Sequence, residues 1–531
     1  MATFIGTDVN DTFNGGVAND SIRGEGGNDS LSGGGGADTI HGGSGADTML
    51  GGDGNDQLWD DVGNDTIRGG AGVDYILART GGADVLDGGG GGQDWLNFQE
   101  IVVDGGVNID LLVTTAQDTG AAGVDTLTGF ENVFGGHQDD FIYGSDVANQ
   151  LQGYAGNDWL AGRGGDDVLG SDQYGEGNDS MFGDIGDDTI YAIGGDDLVD
   201  GGEGVDVLSF ARFVLPGGTE LDARINLQST GPQTTFSGST VTVSGIEAVR
   251  GGGGNDSLEG NNGDNTLWGA SGDDVLAGSY GEDVLDGGTG NDSLYGGGSD
   301  DLLLGGTGND TLSAASGGST LVGGLGDDLY DGSAYGAIAS FAASETSIYV
   351  TLSFTYAQLT HEGSDTFVDI NGLIGSKFDD AFIGGTDADT LIGGAGRDTL
   401  HGAEGADSLV GGKGADVLIG RAGRDVLTGG GSGDVFRFLS LSDSPSLGAD
   451  RITDLTGSDL IDLSGIDANV FARGDQAFTL VNQHSGIGQA VLTYNPDSGR
   501  TSLALYTNSD NTIDGYIVID GNREDFDNFE L

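Results

Sequence analysis

Asp11, Asp20, Asp29, Asp38, Asp47, Asp56, Asp65 and Asp74 stand nine residues apart without a break. Two residues after each comes an apolar side chain: Phe13, Ile22, Leu31, Ile40, Met49, Leu58, Ile67 and Ile76. Half of the residues in the five positions before these aspartates are glycine. A period this strict admits few folds: each unit is one supersecondary element that buries its hydrophobe only against its neighbours. Glycines give a turn, the aspartate adds a charged oxygen, and three or so residues make a minimal strand with one side chain pointing inward. Two units, 18 residues, make one coil, so Asp11 should lie over Asp29, Asp47 and Asp65 on one edge, with Asp20, Asp38, Asp56 and Asp74 on the other.

The register slips to ten-residue steps at Asp84 and Asp94 and returns in three further blocks. The second holds Asp140, Asn149, Asp158 and Asp167, takes a longer step at Ser171–Gly177, and resumes with Asp179, Asp188, Asp197 and Asp206. The third runs Asp256, Asn265, Asp274, Asp283, Asp292, Asp301, Asp310, Ser319 and Asp328. The fourth is Asp380, Asp389, Asp398, Asp407, Asp416, Asp425 and Asp434. All 31 register aspartates are candidate metal ligands. Asn149, Asn265 and Ser319 are expected to bind weakly or not at all.

Three interrupting segments resemble one another. Each opens on an apolar stretch ending in Phe98, Phe210 or Phe341. Each continues with an alternating strand (107–111, 223–227, 348–352) and closes on a second one (127–133, 243–249, 367–373). Period-two alternation predicts half-buried strands. After residue 435 glycine thins out and alternating aromatic runs predict a compact all-β cap. The chain thus divides into repeat blocks at 1–94, 136–206, 251–330 and 376–434, segments at 95–135, 207–250 and 331–375, and a tail at 435–531. No stretch predicts a long amphipathic helix or a membrane span.

The formal net charge is -69, with 17 basic residues against 86 acidic. Such a chain has no basic patch for phosphates, which excludes nucleic-acid binding. On charge and its 109 glycines alone the chain would be disordered. The fixed period predicts instead a chain that folds once counter-charge arrives. Carboxylates ~5 Å apart repel by roughly 0.8 kcal/mol in water and about 3 kcal/mol at an effective dielectric of 20. A cation between adjacent turns reverses that sign. Cysteine is absent, so no disulfide framework supplies stability. Carboxylate and carbonyl oxygens without clustered histidine suit Ca²⁺; Zn²⁺, copper and the tighter octahedral Mg²⁺ fit poorly. The N-terminal Met1-Ala2-Thr3-Phe4-Ile5-Gly6 lacks the features of a secretory leader.

The repeat resembles the GGxGxDxUx nonapeptide of RTX (hemolysin-type calcium-binding) proteins, which implies an all-β parallel β-roll with multiple bound Ca²⁺. The tail, from Asp450-Arg451-Ile452-Thr453-Asp454-Leu455 through Gly457–Asn469 to Gly474-Asp475-Gln476-Ala477-Phe478, is similar to the C-terminal domain of serralysin-type secreted proteins. That resemblance implies a Gram-negative bacterial protein exported by a type I secretion apparatus on an uncleaved C-terminal signal. The last residues, Asp527-Asn528-Phe529-Glu530-Leu531, depart from the family's usual ending.

The sequence offers little to a catalyst. His361-Glu362 lacks the second histidine of HExxH, and the nearest approach to a GxSxG elbow, Ala277-Gly278-Ser279-Tyr280-Gly281, sits in the repeat register. No separate catalytic domain is visible. The expectation is a secreted, extracellular calcium-binding protein without enzymatic activity, structural or adhesive at the cell surface or matrix. The alternative is a polysaccharide-acting enzyme or its calcium-binding targeting module. Trp95, Phe98, Phe210 and Phe341 are the aromatics that could line a saccharide groove, with core filling the competing reading. Calcium, the exporter and cell-surface or extracellular polysaccharide are the expected partners.

Overall fold

The nine-residue period becomes a parallel β-solenoid, with no α-helix among the described residues. The computed structural model describes residues 2–79, 81–101, 105–170, 177–192, 194–211, 214–215, 219–220, 222–235, 238–333, 336–469, 476–510 and 512–531. Part of the longer step at 171–177, and Gly474 and Asp475 of the tail, lie outside the described residues. The chain forms two units, Met1–Ala270 and Ser271–Leu531.

In the first unit one face of the coil is continuous. Short strands from Thr3–Ile5 and Ser21–Arg23 through Tyr75–Leu77 and Trp95–Asn97 pair in parallel, layer on layer. The ladder then passes straight through the first segment to Asn132–Phe134, and on to Val207–Ser209 and Ala248–Arg250. The register stacks Ile22, Ile40, Leu58, Ile76, Leu96 and Val133 in one inward column, each fully buried. The period-two pleat points these side chains in and their neighbours out.

The opposite face is interrupted. Strands Thr12–Asn14, Ser30–Gly35, Thr48–Asp53, Thr66–Ala71 and Val85–Gly90 end on Gly123–Thr128, which is doubled back by the antiparallel Gln117–Gly120. A new sheet begins with Asn108–Asp110, which pairs with Phe141–Tyr143 of the following block. Chain order and spatial order are therefore exchanged: the segment's earlier strand starts the next sheet and its later strand finishes the previous one. The second segment repeats this. Thr240–Ser244 closes the sheet of Asp196–Glu203, while Arg224–Asn226 pairs with Ser257–Glu259.

The second unit uses the same plan. Its continuous face runs from Val284–Thr289 through Ala337–Ser340 and Ile370–Ile374 to Val426–Gly431. On the other face Ser364–Val368 ends one sheet and Tyr349–Thr351 begins the next. The roll does not stop at residue 434. Arg451–Ile452 and Leu460–Asp462 add a further layer, one strand to each face. Only then does the tail become an antiparallel meander of Gln489–Asn495, Arg500–Tyr506 and Gly515–Asp520, docked by its last strand on Arg451–Ile452.

Candidate metal centres

The aspartates line the two edges where the coil turns. Each backbone N–H donates to the Oδ1 of the aspartate one layer on: Asp11 to Asp29, Asp29 to Asp47 and Asp47 to Asp65, all at 2.7 Å. The second edge runs Asp20, Asp38, Asp56, Asp74 and Asp94, with bonds of 2.6–2.8 Å. The ten-residue slips at Asp84 and Asp94 leave these ladders intact. In the second block Asp140, Asp158, Asp179 and Asp197 form one ladder and Asn149, Asp167, Asp188 and Asp206 the other. In the second unit Asp274, Asp292, Asp310 and Asp328 stack in the same way, as do Asp283, Asp301 and the hydroxyl of Ser319. Asp380, Asp398, Asp416 and Asp434, and Asp389, Asp407 and Asp425, complete the set. Of the third block, Asp256 starts from a different partner, Ala223, whose N–H its Oδ1 accepts.

Six acidic residues that sequence reasoning passed over continue these ladders. Asp125 and Asp365 accept the N–H of Asp84 and Asp328 from within the interrupting segments. Glu131 and Glu247 do so for Asp94 and Asp206. Asp450 and Asp459 of the tail accept from Asp425 and Asp434. One signal was present throughout: an acid two residues before a buried Leu, Val, Phe or Ile.

The second carboxylate oxygen defines the site. Oδ2 of Asp29, Asp38, Asp47, Asp56, Asp65 and Asp74 is buried with no hydrogen-bond partner, as are those of Asp158, Asp167, Asp188, Asp292, Asp310, Asp398, Asp407, Asp416 and Asp425. Each except that of Asp65, which has Asp60 at that position, points at the glycine five residues earlier. At Gly24 an added Cβ would lie 2.1 Å from Asp29 Oδ2 and 2.3 Å from the carbonyl oxygen of Gly42 in the next layer. Gly183, with Asp188 Oδ2 and the Gly201 carbonyl, repeats this at 2.1 and 2.4 Å. Carboxylate and carbonyl oxygens thus face one cradle that a single methyl would fill. Between that glycine and the aspartate, most of these turns have two residues in left-handed backbone, such as Gly394 (φ 103°) and Gly396 (φ 131°) before Asp398. This turns successive carbonyls, which glycine does without steric penalty.

Burial without a counter-charge raises the carboxyls deepest in these ladders. Asp65, Asp74 and Asp398 are pushed up to about 7, and Asp158 and Asp197 to about 8, by desolvation first, eased by the backbone N–H and worsened by neighbouring aspartates. A buried acceptor with no donor is costly. The residues present fit a hard cation bound by oxygen: charged carboxylates, convergent carbonyls and no sulfur.

The RTX calcium-binding nonapeptide repeat family matches at residues 5–40, 41–76, 143–172, 174–208, 242–276, 277–312, 304–334, 374–409 and 401–436, more than half of the chain. The chain belongs to the RTX calcium-binding repeat family. No curated protein matches it. Among solved structures, the AlgE6R3 subunit of the Azotobacter vinelandii mannuronan C5-epimerase is 29% identical over 29% of this chain and 80% of its own, with a TM-score of 0.17. A Ca²⁺-dependent, β-helical antifreeze protein from an Antarctic bacterium is 15% identical over 78% of this chain and 85% of its own, with a TM-score of 0.14.

His41, His401 and Ser279 fall at outward positions of their strands. His41 stacks on Trp59 at 4.2 Å. His401 accepts a 2.9 Å hydrogen bond from Arg421 Nε, and burial together with that guanidinium lowers its pKa. Ser279 lies in the strand Val275–Tyr280. Of the four aromatics considered for a saccharide groove, Phe98, Phe210 and Phe341 are core side chains, at most 3% exposed. Trp95 alone is on the outer face, stacked between Tyr75 and Phe134.

Proposed function

We propose that this chain is a secreted, non-enzymatic protein that folds on calcium outside the cell and serves a structural or adhesive role at the cell surface or in the matrix. The observation that carries the reading is the row of buried, unpartnered Oδ2 atoms. A fold that leaves them so depends on something added, and metal binding is then folding free energy. In low cytosolic calcium the chain would stay extended and pass a type I exporter; the serralysin-like tail supplies the address. Circular dichroism and small-angle scattering with and without EGTA test this. Loss of β structure and expansion in chelator is the expected result, and an equally compact, protease-resistant chain would reject it.

A specific surface supports adhesion to polysaccharide. On the outer face of the second block Trp159 packs against Phe182 at 4.5 Å, beside Phe141, which is 48% exposed. Arg163 lies 5.4 Å over the Tyr143 ring and is held by a two-pronged bridge to Asp110 at 2.7 and 2.8 Å. An adjoining open groove of about 730 Å³ is lined by Arg163, Phe182, Asp184, Asp200 and Glu203. Rings with apolar faces beside hydrogen-bonding carboxylates suit an uncharged sugar chain. The same groove is what favours the second reading, a polysaccharide-acting enzyme or its targeting module. Incubating the calcium-loaded protein with neutral polysaccharides separates the two: retention without new reducing ends supports adhesion, and turnover supports the enzyme.

A further inference from the structure

The register residues do not all behave alike. The first two of each block are Asp11 and Asp20, Asp140 and Asn149, Asp256 and Asn265, and Asp380 and Asp389. In all eight, the side-chain oxygen that faces the cradle is also bonded back to its own turn, although in seven it still lies 1.9–2.7 Å from where a Cβ on the glycine five residues earlier would stand. It accepts the N–H of the residue four positions earlier: Thr7, Gly16, Gly136, Ser145, Gly252, Asn261, Ser376 and Gly385, at 2.5–3.1 Å. In the first turn of the last three blocks the other oxygen is used as well. Asp140, Asp256 and Asp380 accept from Val107, Ala223 and Ile348, the exchanged strands of the preceding segments.

The backbone differs accordingly. Among the described residues of 6–10, 15–19, 135–139, 144–148, 375–379 and 384–388, none has a positive φ. Most later turns carry two such residues, Ala403 (φ 81°) and Gly405 (φ 133°) before Asp407 for example, and those before Asp65 and Asp425 carry one. The sequence matches: later turns have glycine two residues before the aspartate except at Ser299 and Ser432, whereas six of these eight have Val9, Ala18, Gln138, Val147, Phe378 or Asp387. Charge is also dispensable. Asn149 and Asn265 keep the fold-back bond through Oδ1, while Nδ2 donates to the carbonyls of Glu131 and Glu247 at 2.7 and 3.1 Å.

We infer that these eight turns take no cation, and that calcium binding begins at the third turn of each block. They are starter turns, closed by the protein's own hydrogen bonds, on which the cation-dependent coils stack. The inference rests on the calcium-binding reading of the later turns.

Asp389 and Asp407 occupy the same edge one layer apart, with Asp389 N–H donating to Asp407 Oδ1 at 2.9 Å. Bound calcium per full-length chain, by equilibrium dialysis and elemental analysis, and the calcium midpoint of the circular dichroism transition are compared for D389N and D407N. D389N copies the natural Asn149 and should leave ion count and midpoint at wild-type values. D407N should lose at least one ion and raise the midpoint several-fold. Loss of an ion in D389N with wild-type circular dichroism would overturn the inference. Should D389N fail to fold, N149D decides: an unchanged ion count supports the inference and one extra ion overturns it. A wild-type chain that binds no calcium at all would instead remove the reading beneath it.

Discussion

Ala314 and Ser319 are a matched pair: the alanine stands where the two preceding turns of that edge have glycine, and the serine where they have aspartate, and both are fully buried. At Gly278 and Gly296 a methyl group would lie 2.1 and 2.3 Å from Oδ2 of Asp283 and Asp301. Shortening the acid to a hydroxyl makes room for the methyl, and Ser319 Oγ still accepts the Asp301 N–H at 3.0 Å.

S319D alone should therefore be overpacked and lose about 1–3 kcal/mol in saturating calcium. A314G/S319D should recover that loss and bind more calcium than wild type. Denaturant unfolding together with ion counting checks both. Equal stability of single and double variants would defeat the steric account.

Protons should partly replace calcium. In the metal-free chain the folded pKa values of Asp65, Asp74 and Asp398 (about 7) and Asp158 and Asp197 (about 8) stand above the ordinary 3.8. Raised values mean the fold prefers the neutral acid, so this contribution is complete below pH 3.8 and is lost as pH climbs through 7 to 8. Calcium-stripped protein should be more compact at pH 4 than at pH 8 by scattering. With calcium the trend should reverse at the acid end, because protons compete for the same oxygens.

The tail should prove part of the roll. Asp450 Oδ2 is buried without a partner and its carboxyl is pushed up to about 8 by burial. D450N should lower the calcium-dependent stability of the tail meander while leaving the pH 7 circular dichroism of earlier blocks largely intact. Limited proteolysis that starts after residue 438 in the variant, and not in wild type, is the expected signature.

On the outer face, W159A should leave the calcium midpoint unchanged, since Trp159 is 37% exposed. It should reduce retention on an insoluble neutral polysaccharide several-fold. A variant that binds as wild type would place adhesion elsewhere.

The stacking of Asp11 on Asp29 and of Ile22 on Ile40 was legible because a period of nine specifies register by itself. Glu131 and Glu247 were not, because their step from the previous acid is 37 and 41 residues, and only the fold brings them one layer on. The loop at 439–449 hid Asp450 and Asp459 in the same way. The exchange of strands 107–111 and 123–128 is a non-local pairing that no local alternation encodes. Phe98, Phe210 and Phe341 are core, as the core-filling reading expects, since each follows an inward side chain by two.

The exchanged strands give each unit seams. A coil that loses its ions late in one block frays toward the next starter turn and meets bonds that never depended on metal. Such a seam works as a firebreak: under pulling or local calcium depletion, a length of rope parts between two splices while the neighbouring lengths hold.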